Sequence, residues 1–418
     1  MCSGENMNKP IFIGRQPIIN GDKSIFGYEI LFRSTAEENS SGVSVSDNLS
    51  ATANVLENIY DMGLKALMGE KPAFINVTPD ILKKGMMELL PKDKIVLEIL
   101  ETSKIDDNAV SIVNEFKKRG FGIALDDFVY TEEWEPLLPL SDYVKLDVKQ
   151  YSRTETKEML LLLKNYGVKF LAEKVETDED FQFYKSLGFD FFQGYFFQKP
   201  AIISSVTLDP DYAILLNIFN SFQSNEDIEK IESLFKMTPD LIYRLLILIN
   251  SVAYEFMAKI SSVKQAIALL GYDNVSRWML TIILASKKSD FRSDPLLESA
   301  IIKGRMMEDI CKKYINKNLS DKAFLAGMLS LVNVALGISL EELLNKITVA
   351  PVIYEALADH KGKLGELAEF MDEYNSGNYI LAGAVLKRIN PNASISDILE
   401  INTNALMYLE EVKKSGLV

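Results

Sequence analysis

The residues best suited to chemistry in this sequence are carboxylates, amides and a lysine spread between positions 76 and 193. Asn76 lies near the end of the apolar run Ala73–Val77, and Glu98 near the end of Ile95–Ile99. Asp126 and Asp127 stand at the end of Gly122–Asp126, and Lys145 sits within Tyr143–Asp147. Glu173 follows Val168–Ala172, and Gln193 ends Phe189–Gln193. A lone Asp or Glu after a strand is most often a cap for the next helix. Several carboxylates, an amide and a lysine gathered at one place are different, because unpaired buried charges are costly. Divalent cations with oxygen ligands supply the compensation, and Mg²⁺ or Mn²⁺ prefers this donor set. Adjacent aspartates suit a pair of ions, one carboxylate bridging and the next binding the second. Two-metal sites of that kind carry out in-line displacement at phosphate esters.

Those groups converge only if the elements carrying them share an end. The apolar runs alternate with helical patterns at Asn48–Met68, Asp80–Leu90, Ala109–Arg119, Thr154–Asn165 and Asp178–Leu187. Gly120, Gly167 and Gly188 each follow such a stretch, where a left-handed C-terminal cap favours glycine. Strands this apolar, alternating with helices, read as parallel strands covered on their outer faces. Seven or eight such units within about 200 residues predict a TIM-like βα barrel, whose strand C-termini meet on one rim. After Lys199-Pro200 the pattern becomes helical throughout, and Thr238-Pro239 makes a good helix start. The expected organisation is therefore α/β followed by all-α, with a barrel over 1–205 and a helical bundle over 206–418.

Composition narrows the function classes. The 418 residues carry a net charge of −14, which disfavours binding DNA or RNA through phosphates. Cys2 and Cys311 are too few for a disulfide framework or a Cys-rich zinc site and fit a reducing cytoplasm. The start, MCSGENMNKP, has no apolar core of a signal peptide. No uninterrupted apolar run approaches the ~18 residues of a membrane span. His360 is the single histidine, so His-cluster metal sites, Ser-His-Asp catalysis and an intact HD-type hydrolase are excluded.

The motifs of the first domain resemble the EAL domain of cyclic di-GMP phosphodiesterases. Glu29-Ile30-Leu31 stands for the signature tripeptide within GYEILFR, followed by FINV, LEILE, LDDF, VKLD, AEKVET and FFQGYFFQKP. In this order the set is highly specific. The resemblance implies that Glu29, Asn76, Glu98, Asp126, Asp127 and Glu173 hold or orient two Mg²⁺ or Mn²⁺ ions. It further implies Lys145 at the nucleophilic water or the developing phosphate charge, and Glu173 as base. Glu176 and Gln193 would support the site and the substrate, and Arg33 would contact a phosphate of cyclic di-GMP. The implied reaction is hydrolysis of one phosphodiester to linear pGpG. In the second half, TPDLIYRLLILINSVAYEFMAKISSVKQAIALLGYDNVSRWML and the later Phe324–Ser330 resemble an HDOD domain. The whole is similar to bacterial EAL–HDOD signalling proteins.

Three departures from the EAL pattern stand out. A glycine- and serine-rich loop normally follows the aspartate pair, but here the run is Phe128-Val129-Tyr130-Thr131-Glu132-Glu133-Trp134. Ile30 replaces the alanine of the signature, and Lys174 replaces the glycine beside Glu173. Three functions stay open on these grounds: a phosphodiesterase with a regulatory helical domain, a barrel that binds cyclic di-GMP without turnover and signals through HDOD, and a nucleotide-independent scaffold. Expected partners are cyclic di-GMP, a protein docking on the helical domain, and a second copy of the chain.

Overall fold

The computed structural model describes residues 11–34, 68–83, 87, 90–194, 210–251, 262–285 and 294–414. The chain divides into two compact units, Met1–Phe197 and Gln198–Val418. The stretch 201–209, within which the sequence places its boundary, lies outside the described residues, as does 48–67 of the expected first helix.

In the first unit eight strands close into a barrel in sequence order. They are β1 (Ile11–Asn20), β2 (Ile25–Ser34), β3 (Ala73–Val77), β4 (Ile95–Ile99), β5 (Gly122–Leu125), β6 (Tyr143–Asp147), β7 (Lys169–Glu173) and β8 (Phe191–Phe192). From β2 to β8 every neighbouring pair is parallel, as the apolar runs predict. The first strand departs from that expectation, since β1 runs antiparallel to both β2 and β8. Its sequence, IFIGRQPIIN, conceals a strand because Pro17 and Gly14 interrupt it. Tyr28, opposite Pro17, directs its N–H to Pro72 O across β3. The pair is thus a non-hydrogen-bonded one, and the missing N–H of Pro17 costs no bond to β2.

The helices between the strands are α1 (Pro79–Lys83), α2 (Asp107–Arg119), α3 (Arg153–Leu163) and α4 (Asp178–Leu187). Asp106, Ser152 and Thr177 cap the last three through side-chain oxygens. Of the stretch Asp80–Leu90, only α1 forms an α-helix among the described residues. Inside the barrel, Ile18, Phe74, Val96, Ala124, Leu171 and Phe191 form an apolar layer, with Phe26 and Tyr143 packed against it. Strand side chains alternate faces, so the residue two positions further along each strand points into the same interior. That step leads from Phe74 to Asn76, Val96 to Glu98, Ala124 to Asp126, Tyr143 to Lys145, Leu171 to Glu173 and Phe191 to Gln193. The apolar layer is the floor on which the polar groups stand.

The second unit is all-helical among the described residues, as expected. Its helices are α5 (Pro210–Gln223), α6 (Ile228–Phe235), α7 (Pro239–Ser251), α8 (Val263–Leu270), α9 (Tyr272–Ala285), α10 (Pro295–Tyr314), α11 (Ser320–Leu336), α12 (Leu340–Lys346), α13 (Pro351–Asp359), α14 (Gly362–Asn375), α15 (Tyr379–Ile389) and α16 (Ile395–Lys414). One continuous core joins them. α10 and α11 cross where Gly304 meets Gly327; a Cβ on Gly327 would lie 2.7 Å from Gly304 Cα. Lys317–Leu336 is long and apolar enough to cross a membrane by length and composition, which the short apolar runs of the sequence do not suggest. Its Phe324, Met328, Leu329 and Val332 are buried in the helical core. Arg277 of α9 pairs with Glu308 at 2.9 Å and with Asp321, and lies over the Phe324 ring at 4.2 Å. His360 is exposed.

Candidate active site

Lys145 organises the C-terminal rim of the barrel. Its ammonium is fully buried and lies 2.7 Å from Asp126 Oδ1, 2.9 Å from Glu98 Oε1, 3.0 Å from Glu173 Oε1 and 3.3 Å from Glu29 Oε2. Four carboxylates carried by four different strands therefore share one cation. Burial alone would lower the Lys145 pKa, but Glu173, Glu29, Glu98 and Asp126 hold it well above the usual lysine range. Amides complete the ring. Gln193 Nε2 donates to Glu29 Oε2 at 2.5 Å and to Gln16 Oε1 at 3.0 Å. Asn76 Nδ2 donates to Glu29 Oε1 at 3.2 Å.

One positive charge cannot neutralise so many buried acids, and their protonation equilibria respond. Burial keeps Glu98 well above the usual carboxylate range against the pull of Lys145, and Glu29 and Asp126 add to the rise. Glu173 is pushed up to about 8, chiefly by burial, with Lys145 opposing and Asp126, Glu29 and Asp127 reinforcing. Asp127 and Glu101 are likewise raised, in each case mainly by burial.

The oxygen inventory tests whether divalent cations suit this ring. Glu98 Oε2, Glu173 Oε2, Asp127 Oδ1, Asn76 Oδ1 and Gln193 Oε1 are all buried without a hydrogen bond. Buried acceptors are normally satisfied, and hard oxygen donors left over on adjacent strands fit Mg²⁺ or Mn²⁺. Among the described residues no three His, Cys, Asp or Glu side chains are spaced to hold a metal ion as they stand. The carboxylates each place one oxygen on Lys145 Nζ, and the second oxygens of Glu98 and Glu173 are left over as donors. The donor set fits Mg²⁺ or Mn²⁺.

Most of the residues singled out by sequence thus come together: Glu29, Asn76, Glu98, Asp126, Lys145, Glu173 and Gln193. Asp127 stands next to them with a left-handed backbone, φ 40°. It lines a cleft of about 290 Å³ with Glu101, Asp126, Phe128, Val129, Thr131, Trp134 and Gln150. Glu176 is placed differently: it is half-exposed and pairs with Lys149. The side chain of Arg33 lies outside the described residues, although its backbone pairs with Phe12 in β1–β2. Gln16 was not foreseen. It sits two residues before Ile18 on the antiparallel strand and therefore in the same layer as the site. That signal is readable only once β1 is recognised and its direction known.

The departures also take structural form. Ile30 is buried and, one position from Glu29, faces the other side of the strand. The run after Asp127 folds into a 3₁₀ helix, Glu132–Leu140. Phe128 N donates to Lys145 O at 2.9 Å, and Phe128 O accepts from Tyr151 Oη at 3.1 Å. The cluster Glu132-Glu133-Trp134-Glu135, whose acidic residues suggest a solvated loop or a helix start, does open that helix, but its Trp134 is buried edge-on against Phe128, ring centroids 6.2 Å apart. In place of a glycine-rich loop, the segment is tied to β6 by the Phe128 backbone and packs its own Phe128 and Trp134 rings together. Lys174 has φ 58°, a conformation that costs a side chain about 1 kcal/mol or more relative to glycine.

A barrel of this topology with an acid–lysine ring on its C-terminal rim defines a βα-barrel protein with the EAL arrangement. The EAL domain family matches residues 11–200 and the HDOD domain family residues 213–361. The chain belongs to the EAL–HDOD family. It is 31% identical to the cyclic di-GMP phosphodiesterase CdgJ of Vibrio cholerae over 371 residues, 88% of this chain and 85% of that protein. It is 28% identical to YuxH of Bacillus subtilis, covering 88% and 91% of the two chains. Among solved structures, BlrP1 of Klebsiella pneumoniae in complex with calcium and cyclic di-GMP is 20% identical with a TM-score of 0.38, over 48% of this chain and 58% of that one.

Proposed function

We propose that the chain is a metal-dependent cyclic di-GMP phosphodiesterase that opens the cyclic dinucleotide to linear pGpG, with the HDOD domain as its regulatory partner-binding half. The observation that carries this is the ring of four carboxylates on one buried lysine, with buried oxygens left over. A barrel that only bound nucleotide would gain nothing from so costly a concentration of buried acids. The kinship with CdgJ, over nearly the whole of both chains, points the same way.

Glu29, Asn76, Glu98, Asp126, Asp127 and Glu173 would hold two divalent cations, Mg²⁺ or Mn²⁺. Bound cations of this kind supply charge to phosphate oxygens and lower the pKa of water. The chain's own groups do the rest. Glu173 keeps one oxygen on Lys145 and leaves Oε2 free to accept a proton from the attacking water. As the water oxygen bonds to phosphorus, the P–O3′ bond breaks, and the departing O3′ takes a proton from solvent, to which Glu173 gives up the one it accepted. Lys145 carries positive charge into the region where the phosphate gains negative charge, an interaction strongest in the transition state. Gln193 and Asn76 fix Glu29 by hydrogen bonds to both its oxygens. Arg33 is assigned to a substrate phosphate and Glu176 to support of the rim. A cytoplasmic location accords with such a substrate and with the two lone cysteines.

The test is incubation of the purified chain with cyclic di-GMP and Mg²⁺ or Mn²⁺, following pGpG and nucleotide binding in parallel. Metal-dependent pGpG is expected. Tight binding with no product under either metal would leave a sensor in place of an enzyme.

A further inference from the structure

Lys174 holds a backbone conformation that glycine adopts without strain and that any side chain resists. Strain at the edge of a site is a pointer to what the residue contributes. Lys174 Nζ donates to Asp147 Oδ2, and Asp147 is buried, its other oxygen accepting Lys149 N–H at 2.9 Å. This anchor fixes the ammonium where β6 and β7 end, with half of the side chain open to solvent, 51%. From there its charge acts on Asp127 and on Glu173, its neighbour in sequence. Lys145, by contrast, is enclosed by four carboxylates and faces the reacting centre.

A cyclic dinucleotide carries two phosphate charges and must approach a rim lined by Asp126, Asp127, Glu101 and Glu173. An ammonium has three donors, and Asp147 engages one of those of Lys174. Resting on the phosphodiesterase reading above, we infer that Lys174 is a substrate-binding residue, a second cation whose remaining donors take a phosphate oxygen of the incoming dinucleotide. Its side chain is kept at a strained position because its charge offsets the repulsion between ligand and rim. It therefore governs capture of substrate more than the chemical step.

The experiment uses the full chain with Mn²⁺ and compares wild type with Lys174→Met, Lys174→Gly and Lys174→Arg in initial rates and thermal melting. A charge-assisted hydrogen bond at a half-exposed position corresponds to about a tenfold change in KM. Lys174→Met and Lys174→Gly should raise KM about tenfold while kcat changes less than about twofold, and Lys174→Arg should restore KM. The wild-type KM should rise with ionic strength more steeply than that of Lys174→Met. Lys174→Gly and Lys174→Met both take the ammonium from Asp147, but only Lys174→Gly relieves the backbone, so it should melt above Lys174→Met; this keeps the kinetics readable even if Lys174→Met folds poorly. An unchanged KM in Lys174→Gly, beside an active wild type, overturns the assignment and leaves the phosphodiesterase reading intact. A wild type that neither turns over nor binds cyclic di-GMP overturns both.

Discussion

Replacing Lys145 by methionine tests the electrostatic centre directly, since it keeps an unbranched stem and removes the ammonium shared by Glu29, Glu98, Asp126 and Glu173. Removing one partner of a buried ion pair costs about 3–5 kcal/mol. The lower end applies, because Glu98 and Glu173 already have high proton affinity and can discharge part of the repulsion by binding protons. At about 2–4 °C per kcal/mol for a domain of this size, the barrel transition should fall by roughly 6–12 °C in chelator at about pH 7. At about pH 5 the deficit should shrink, as the freed carboxylates protonate. Added Mn²⁺ should raise the melting temperature of the variant by more than that of wild type, because the cation replaces a missing charge. Turnover should drop by orders of magnitude while nucleotide binding survives. Calorimetry of the whole chain, with and without metal, reads the stability effects. A deficit in chelator below about 2 °C would refute the account of Lys145 as the group that makes the acid ring tolerable.

Other outcomes follow from the same geometry. Glu173 is raised from an ordinary 4.5 to about 8, so the metal-free native state binds more protons than the unfolded chain between those values. Its contribution to stability is then full below the lower value and lost as pH rises through the upper one, whereas metal affinity, which requires the deprotonated ligand, rises over the same window. Melting in chelator across that range, with Mn²⁺ titrations alongside, checks both; metal affinity that falls with pH contradicts the assignment. Gly194→Ala should destabilise the barrel by about 2–4 kcal/mol and displace Gln193, since φ is 146° and a Cβ would come within 2.0 Å of Val175 O. A variant as stable to urea as wild type would count against that contact. Gly327→Ala should cost the helical unit about 1–3 kcal/mol through the collision with Gly304 while sparing metal-dependent stabilisation of the barrel. Loss of the metal response in this variant would be the contrary result.

The parallel part of the barrel was legible because its strands are short, apolar and ended by polar residues, and because Gly120 and Gly188 mark helix ends, as their left-handed φ values of 101° and 100° bear out. The same pattern located the acid ring, since period-two alternation on a parallel strand puts Glu98 above Val96 and Lys145 above Tyr143. It failed at β1, where Pro17 and Gly14 hide the strand and antiparallel direction reverses the step from Ile18 to Gln16. Ownership of Lys145 by four carboxylates was also out of reach, because distances across a barrel are set by closure and not by spacing along the chain. The glutamates around Trp134 suggested a helix start, which forms, but not the burial of the indole, which the 3₁₀ turn directs inward against Phe128.

The seam between β1 and β8 governs when this site can come into being. Ile19 pairs with Phe192 and Asn20 with Phe191, and the hydrogen bond from Gln193 to Gln16 spans 177 positions of chain. Loop-closure entropy must be met before so distant a pairing is rewarded. During synthesis, which runs at about 5–20 residues per second, the first strand waits on the order of 10 s for its partner to be made. Until then β1 has one edge without its ladder, the barrel cannot close, and Glu29 lacks the glutamine that fixes it. Activity is thus a property of the finished barrel, with no partial form in a nascent chain, and slow closure of this seam should set the pace of refolding.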